Sequence, residues 1–336
     1  MIKKQLLSGL QMVILLVLMM VLFTGCGKSG SHEQNAANQG NNVAGAKEIR
    51  IAVQPFPGYA PLLVAKQKGW FEEEFAKIGV TVKYGYFDSG PVENEAFAAG
   101  QEDVGVMGDL PAIIARSAGQ KNRLIGTASA GAKSLAILVP PDSKIISPQD
   151  LKGKKVAVVK GSNVYHLLAV VLKNNGLTFD DIKIINMPVA DMATALINKN
   201  IDAAATWEPF ITKLGNDNTA KVLIDGEGIK RANSVILARQ DFAEKNSELV
   251  KVFLKVYQRG CEFVKANPKE TADIILPEVK VPSEVTLKIL QKYNFDPITN
   301  QEDINALKEV EQFMREADII KNKVDIDQFV DSQYWK

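Results

Sequence analysis

Cysteine and histidine are scarce in this chain, which has two of each among its 336 residues. They are Cys26, His32, His166 and Cys261, and their wide separation lacks the spacing of a zinc site, so we expect no metal site. Two cysteines are also too few for the disulfide framework of a small secreted domain. The glycine motifs that hold nucleotide phosphates and the serine-hydrolase motif are missing, so the sequence predicts no cofactor and no familiar catalytic centre.

An excess of charge is lacking as well, because 40 lysines and arginines face 39 aspartates and glutamates. Removal of an N-terminal signal, residues 1–25, would take away two lysines and leave a net charge of −1. A nearly neutral chain has no general attraction for nucleic acid or anionic lipid, so we expect no nucleic-acid partner. Any preference for an anion must therefore come from a local site.

The first 26 residues have the parts of a secretory signal. Lysines at positions 3 and 4 precede a continuous apolar stretch at 12–23, and small residues then lead to Cys26. This order predicts a signal peptide over residues 1–25, whose removal leaves Cys26 as a lipidated N-terminus carrying fatty-acid chains such as palmitate. The junction Leu22-Phe23-Thr24-Gly25-Cys26 resembles a bacterial lipobox, with Phe23 where leucine is usual.

An uncleaved membrane anchor is the alternative, but the continuous apolar stretch is shorter than the ~20 residues that a spanning helix needs. The sequence therefore predicts an extracytoplasmic protein that its lipid holds at the cell membrane. Residues 26–46 are small and polar, with too little apolar content to fold, and we predict a flexible linker there. The remaining chain, 47–336, is long enough for two hydrophobic cores.

Two successive sets of strand and helix patterns fill most of this body. Strands are predicted at 48–53, 80–84, 103–107, 124–127, 155–159, 182–186 and 203–207. Helices are predicted at 61–75, 91–99, 110–118, 163–174 and 191–198, and from 246 almost to the end. The alternation predicts an α/β fold with mostly parallel sheets covered by helices. Cys261 lies in a helix-like run and is predicted to pack as a small apolar residue.

Two apolar runs, 134–139 and 234–238, bracket the second set of patterns. We predict that these runs are strands that cross between two lobes. The first lobe would then comprise residues 47–137 plus 235–336, and the second lobe, residues 138–234, would be inserted into it.

Three predicted helices start with similar residues. The starts are Asp88-Ser89-Gly90-Pro91, Gly108-Asp109-Leu110-Pro111 and Lys160-Gly161-Ser162-Asn163. Each follows a strand, and the carboxyl edge of an open α/β sheet is where ligands bind. Free N–H groups and the helix dipole at such a start suit an oxyanion. Serine, aspartate and asparagine at helix starts are ordinarily caps, but three such starts in equivalent places favour an anion site.

Four further residues bear on such a site. Asp109 would repel an anion, so it either caps its helix, which we favour, or meets a cationic group of the ligand. Trp207 ends a predicted strand at the same edge, where it either covers an apolar ligand tail or packs between the lobes. Gln54, with residues 55–59, follows the first strand to that edge. His166 is predicted to be a structural or surface residue rather than a base, because no nucleophile or orienting carboxylate is near it in sequence.

Several segments resemble the substrate-binding lipoproteins of ABC importers for aliphatic sulfonates, nitrate and taurine. The matching segments are 88–91, 98–100, 103–111, 137–140, 150–157, 160–168 and 207–209. The most specific is Lys160-Gly161-Ser162-Asn163-Val164-Tyr165-His166-Leu167-Leu168, which is most similar to the sulfonate-binding branch. The resemblance covers residues 48–238 well, whereas the C-terminal helices match in character alone.

The resemblance implies a type II periplasmic-binding-protein fold, with two lobes, two interlobe crossings and the ligand in the cleft. It implies that the helix starts hold the anionic head of the ligand. The ligand-binding residues so implied are Gln54, Ser89, Gly90, Gly108, Asp109, Leu110, Gly161, Ser162, Asn163 and Trp207. Ligand would close the hinge, and a monomeric receptor in its closed form would engage the importer permease.

The ligand class stays open between an aliphatic sulfonate, which the resemblance favours, and nitrate, taurine or a pyrimidine precursor of thiamine. An enzyme is a further alternative, since related folds host pyrimidine synthesis and dehydratase chemistry. Three features disfavour an enzyme: the export signal, the missing cysteine-rich motif of the pyrimidine-synthesis relatives, and the lack of an acid, base or nucleophile constellation.

Overall fold

The computed structural model describes residues 45–336, so the predicted signal peptide, the lipidation of Cys26 and nearly all of the predicted linker lie outside the described residues. Within the described part, ten strands form two five-stranded sheets. The first sheet contains, in spatial order, β2 (Thr81–Tyr86), β1 (Glu48–Val53), β3 (Val104–Gly108), β10 (Asn233–Arg239) and β4 (Asn122–Ala130). The second contains β7 (Lys183–Asn186), β6 (Lys155–Val158), β8 (Ala203–Trp207), β5 (Leu135–Val139) and β9 (Lys221–Asp225).

Each sheet has four strands running in one direction and one strand running against them. In the first sheet β1 pairs parallel with β2 and β3, whereas β10 pairs antiparallel with β3 and β4. In the second sheet β6 pairs parallel with β7 and β8, whereas β5 pairs antiparallel with β8 and β9. The predicted α/β fold with mostly parallel sheets is confirmed. The antiparallel strand is in each case the one that follows a passage of the chain from the other sheet.

The chain passes between the sheets in two short connections rather than in strands. We predicted that 134–139 and 234–238 are crossing strands, but β5 lies wholly in the second sheet and β10 wholly in the first. The crossings are residues 131–134 and 226–232, which precede these strands. The predicted lobe limits after residues 137 and 234 therefore fall inside β5 and β10. Pairing along one sheet satisfies the buried backbone groups of each strand, which a crossing strand would leave partly unpaired.

Helices cover both sheets. The first lobe has α1 (Ala60–Gln67), α2 (Trp70–Ala76), α3 (Gly90–Ala98) and α4 (Asp109–Ser117), and the second has α5 (Asn163–Asn174), α6 (Val189–Ile197) and α7 (Phe210–Asn216). The C-terminal helices are α8 (Gln240–Lys245), α9 (Ser247–Ala266), α10 (Pro268–Val279), α11 (Ser283–Leu290), α12 (Gln301–Glu316) and α13 (Ile326–Phe329). The single helix predicted at 61–75 is wrong, because Gly69 adopts a left-handed φ of 67° and separates α1 from α2.

The C-terminal helices complete the first lobe. Helix α9 packs on α1, and Gly260 permits this approach because a Cβ there would lie 2.4 Å from the carbonyl oxygen of Pro61. The rings of Phe71 and Phe253 stack in the same core with centroids 5.3 Å apart. Cys261 is buried in this core, which confirms its predicted role as a packed apolar residue.

No helix within residues 45–336 combines the length and apolar character needed to cross a membrane. The same part of the chain holds no group of three or more histidine, cysteine, aspartate or glutamate side chains placed to bind a metal ion.

Candidate ligand-binding site

A cavity of about 60 Å³ lies between the carboxyl edges of the two sheets. The first lobe lines it with Gln54, Phe56, Gly58, Tyr59, Ser89, Gly90, Gly108, Pro111, Ser234 and Tyr293. The second lobe contributes Leu135, Ser162, Asn163, Trp207 and Glu208, and the two crossings contribute Ser134 and Ala232. Since a water molecule takes roughly 30 Å³ in the liquid, the cavity has room for a compact group of a few heavy atoms.

Seven of the ten predicted ligand-binding residues lie on this cavity: Gln54, Ser89, Gly90, Gly108, Ser162, Asn163 and Trp207. Three of the ten do not lie on it. Asp109 faces a different cavity, and Leu110 is fully buried in the core of the first lobe. Gly161 has a left-handed φ of 76° and lines a separate groove beside Pro91. At the second and third helix starts, therefore, some residues reach the cavity and their immediate neighbours do not.

The three helix starts meet at the cavity with free backbone N–H groups. Ser89, Gly108 and Ser162 are the N-cap residues of α3, α4 and α5, yet no side chain caps these helices. Instead, the Ser162 hydroxyl donates to the carbonyl oxygen of Val159 at 2.7 Å. The first N–H groups of a helix have no partner within the helix, and they carry its partial positive charge. Pro91 and Pro111 remove one N–H each from the first turns of α3 and α4, and the Leu110 N–H donates to the Asp109 carboxylate. The remaining first-turn N–H groups, such as those of Gly90 and Asn163, are not used by a side-chain cap.

The starts of α4 and α5 come from different lobes and touch each other. A Cβ on Gly108 would lie 3.0 Å from the Asn163 side chain, so glycine allows the two lobes to close at this point. The Asn163 amide donates to the carbonyl oxygen of Asn233 at 3.0 Å, which adds a hydrogen bond between the lobes.

Side-chain donors supplement the backbone at the cavity. The indole Nε1 of Trp207 is buried and has no hydrogen-bond partner among the described residues. Burial raises the pKa of the Tyr59 and Tyr293 hydroxyls, so both phenols keep their protons at neutral pH. Tyr59 is hydrogen-bonded to Ser234 and Tyr293 to Ser134, so each pair keeps one neutral hydroxyl donor for whatever occupies the cavity.

Gln54 is held in place by a buried carboxyl group. Its Nε2 donates to Oε2 of Glu93 at 2.6 Å and to the carbonyl oxygen of Val106 at 3.1 Å. Both amide protons are therefore used inside the protein, which leaves the amide oxygen for a ligand. Burial raises the pKa of Glu93 well above its usual value, which favours the uncharged carboxyl group behind the cavity.

Trp207 packs between the lobes, as one of the two interpretations of the sequence predicts, and it also lines the cavity. Its ring meets Phe56 of the first lobe edge-on, with centroids 6.1 Å apart, and Phe56 also meets Phe210 at 6.3 Å. Phe56, Ser89 and Trp207 also line an outer groove of about 580 Å³. Its other walls are largely apolar, and include Phe87, Val92, Met187, Val189 and Phe210.

Asp109 has a partner that sequence reasoning missed. The preferred role as a helix cap is wrong, because Gly108 is the N-cap and Asp109 is the first helical residue. Both carboxylate oxygens accept from Nζ of Lys230, at 2.9 and 2.8 Å, and the two side chains are 1% and 3% exposed. The cation that Asp109 meets thus belongs to the chain itself, in the second crossing.

His166 lies outside the cavity. It is buried, its ring centroid is 4.7 Å from that of Phe313, and burial lowers its pKa well below the usual value. A neutral imidazole packed on an aromatic ring confirms the structural role predicted for it.

Several lining residues were not predicted as ligand contacts. Phe56, Gly58 and Tyr59 belong to the 55–59 segment already assigned to this edge, and Glu208 follows Trp207 directly. Pro111 is part of the second helix start, and Ser134, Leu135 and Ser234 are part of the runs 134–139 and 234–238, but no ligand contact was predicted for any of them. Tyr293 and Ala232 had no sequence signal, because the tertiary fold alone brings them to the cavity.

Two α/β lobes that enclose a small cavity of unpaired donors define a bilobal ligand-binding protein. The family described as NMT1/THI5 like matches residues 57–271. A Bacillus subtilis protein whose name assigns it to aliphatic sulfonate binding is 34% identical over 331 residues, covering 96% of this chain and 95% of that protein. The chain belongs to the NMT1/THI5-like family.

Solved structures agree with this assignment. The alkanesulfonate-binding protein SsuA from Xanthomonas axonopodis pv. citri, bound to MOPS, has a TM-score of 0.78 at 25% identity, covering 85% of this chain and 99% of that one. The desulfurization enzyme DSZB has a TM-score of 0.67 at 14% identity, covering 86% of this chain and 97% of that one, which shows the fold alone. The resemblance to sulfonate-binding proteins and the two-lobed fold that it implied are confirmed.

Proposed function

We propose that this protein is an extracytoplasmic receptor that captures an aliphatic sulfonate between its lobes and delivers it to an ABC importer permease. The observation that carries the proposal is the meeting of three uncapped helix starts and the unpaired Trp207 indole at one cavity. The names of the Bacillus relative and the Xanthomonas neighbour support a sulfonate as the ligand class.

Neutral donors suffice for this task. A hydrogen bond to a charged group contributes about 1.5–3 kcal/mol, and a helix dipole adds up to ~2 kcal/mol when partly buried. A micromolar complex needs about −8 kcal/mol. The three helix starts and Trp207 supply enough such donors for the three oxygens of a sulfonate. This head, one sulfur with three oxygens, suits the compact cavity, and the apolar outer groove suits its aliphatic tail.

The proposal is for binding without catalysis. The described residues that line the cavity include no histidine, cysteine, lysine or arginine, and their one carboxylate, Glu208, is already bonded to Thr212 and Lys292. His166, the nearest candidate base in sequence, packs elsewhere. The desulfurization enzyme shares the fold, so the argument comes from the site and not from the architecture.

The proposal extends to the N-terminal features. A signal peptide over 1–25 and an acylated Cys26 would hold a monomeric receptor beside its permease, where a tether raises the local concentration. Mass spectrometry of the N-terminal peptide tests this, with acyl chains such as palmitate expected on Cys26. We expect Cys26→Ser to release the protein from the membrane fraction, and retention there would contradict the anchor.

A thermal-shift panel of alkanesulfonates, nitrate, taurine and thiamine pyrimidine precursors tests the ligand class. We expect alkanesulfonates to raise the melting temperature, because a ligand that binds the folded state alone stabilises it by mass action. No shift with any alkanesulfonate at millimolar concentration would refute the proposal. A shift with nitrate or a pyrimidine alone would reassign the ligand.

A further inference from the structure

Glu208 is the one charged side chain among the described residues that line the cavity. It follows β8 and is fully buried. Its Oε2 accepts from the backbone N of Thr212 at 3.1 Å, and its Oε1 accepts from the Thr212 hydroxyl at 2.8 Å and from Nζ of Lys292. A buried carboxylate beside an anion site needs such partners, because an unpaired charge there would be strongly unfavourable.

Lys292 reaches Glu208 from the other lobe, and its backbone is held firmly. Two residues on, Asn294 exchanges both backbone hydrogen bonds with Ala130 at the end of β4, at 2.8 and 2.9 Å. The carbonyl oxygen of Lys292 lies so near Gly131 that a Cβ there would be 2.7 Å away. The Lys292 side chain is 29% exposed, and its Nζ is bonded to the Glu208 carboxylate. The ammonium group is therefore held at the edge of the site.

We propose that Lys292 determines selectivity by occupying Glu208, so that the site rejects sulfonates that carry an amino group near the head. This inference rests on the proposed function. An amino group entering the cavity would find the carboxylate already paired and would meet the like charge of Lys292. A plain alkanesulfonate brings no cation and leaves the ion pair intact.

The same ion pair joins the two lobes, so its loss will also weaken closure. Weaker closure raises the dissociation constants of two ligands that differ only by an amino group by the same factor. Exclusion of a cation raises only the dissociation constant of the ligand that carries the amino group. The ratio of the dissociation constants of taurine, which is 2-aminoethanesulfonate, and ethanesulfonate therefore isolates selectivity from closure.

The experiment is calorimetric titration of both ligands into the wild type and three variants. Lys292→Met removes the cation, and Lys292→Arg keeps it. Lys173→Met is the matched control, because Lys173 and Glu316 also pair across the lobes, at 3.3 Å, but are 64% and 49% exposed. We expect the wild type to prefer ethanesulfonate by about tenfold or more, and Lys292→Met to shift this ratio towards taurine by about tenfold. Lys292→Arg and Lys173→Met should keep the wild-type ratio.

Each outcome decides the question. An unchanged ratio in Lys292→Met, or a wild type that binds taurine as tightly as ethanesulfonate, overturns the inference and leaves the proposed function standing. A wild type that binds neither ligand refutes the proposed function and the inference with it. If Lys292→Met does not fold, the double variant Glu208→Gln with Lys292→Met removes both charges and takes its place. It too is expected to discriminate less against taurine, and full discrimination in it would overturn the inference.

Discussion

Replacement of Trp207 by phenylalanine should separate ligand affinity from protein stability. The change removes the indole N–H and keeps an aromatic ring against Phe56, which now lies 6.1 Å away. The indole N–H donates to no group of the described residues, so its removal breaks no hydrogen bond within the protein. We expect the smaller ring to cost about 1–2 kcal/mol of unfolding free energy, through lost packing alone.

The complex should respond differently. If the indole N–H donates to a sulfonate oxygen, its loss removes a charge-assisted hydrogen bond of about 1.5–3 kcal/mol. Each ~1.4 kcal/mol is a factor of ten in the dissociation constant, so Trp207→Phe should bind alkanesulfonates about 10- to 150-fold more weakly.

Calorimetric titration measures the affinity, and thermal unfolding without ligand measures the stability. Trp335→Phe is the matched control, because the Trp335 indole donates to the carbonyl oxygen of Ile125 at 2.7 Å, outside the cavity. We expect this control to lose about 1 kcal/mol of stability and no affinity. Unchanged sulfonate affinity in Trp207→Phe would refute the assignment of this donor to the ligand.

Three further predictions follow from the groove and from two buried carboxyl groups. In a series from ethanesulfonate to longer alkanesulfonates, each added CH₂ that enters the outer groove should improve binding by ~0.8 kcal/mol, about fourfold, and a flat calorimetric series would contradict that role for the groove. The pKa of Glu93 is raised on folding by burial, so the folded state binds more protons and its stability falls as pH rises above the ordinary glutamate pKa. Between that value and the higher pKa of the folded state, Glu93→Gln should therefore gain up to about 1.4 kcal/mol over the wild type for each pH unit, with no gain below it, and equal pH dependence of the two melting temperatures would count against a raised pKa of Glu93. Asp109→Asn strips Lys230 of its buried partner and should cost about 3–5 kcal/mol in denaturant unfolding, without altering the ratio of ligand affinities; altered ligand preference at full stability would contradict this structural role.

Local patterns in the sequence predicted individual elements well. The helix predicted at 163–174 and the strand predicted at 203–207 have these limits in the structure. Both elements depend on neighbouring residues. The helix has a recognisable start followed by apolar residues at helical spacing, and the strand is a run of small and β-compatible residues. The 61–75 helix failed because Gly69 ends α1, and the periodic apolar pattern continues through it into α2. Helix α7 and strand β9 were missed, since such short segments carry little periodicity.

Contacts between distant residues were not predictable in this way. Asp109 and Lys230 are 121 residues apart, and Glu208 and Lys292 are 84 apart. The sequence shows Asp109 as a carboxylate at a helix start, which suggested either a helix cap or a ligand contact. Neither interpretation included an ion pair with a distant lysine of the same chain. The strands β5 and β10 show the same limit, because their apolar character indicates burial but not the sheet in which each one pairs.

The sequence by itself determined the alternation of strands and helices, the three helix starts and the family, because each of these resides in short runs of neighbouring residues. The tertiary structure alone decided which of those residues reach the cavity, that Trp207 has an unpaired donor there, and that Lys292 neutralises Glu208. These outcomes depend on how two lobes close on each other, and closure is set by packing and hydrogen bonding between segments that lie far apart in the chain.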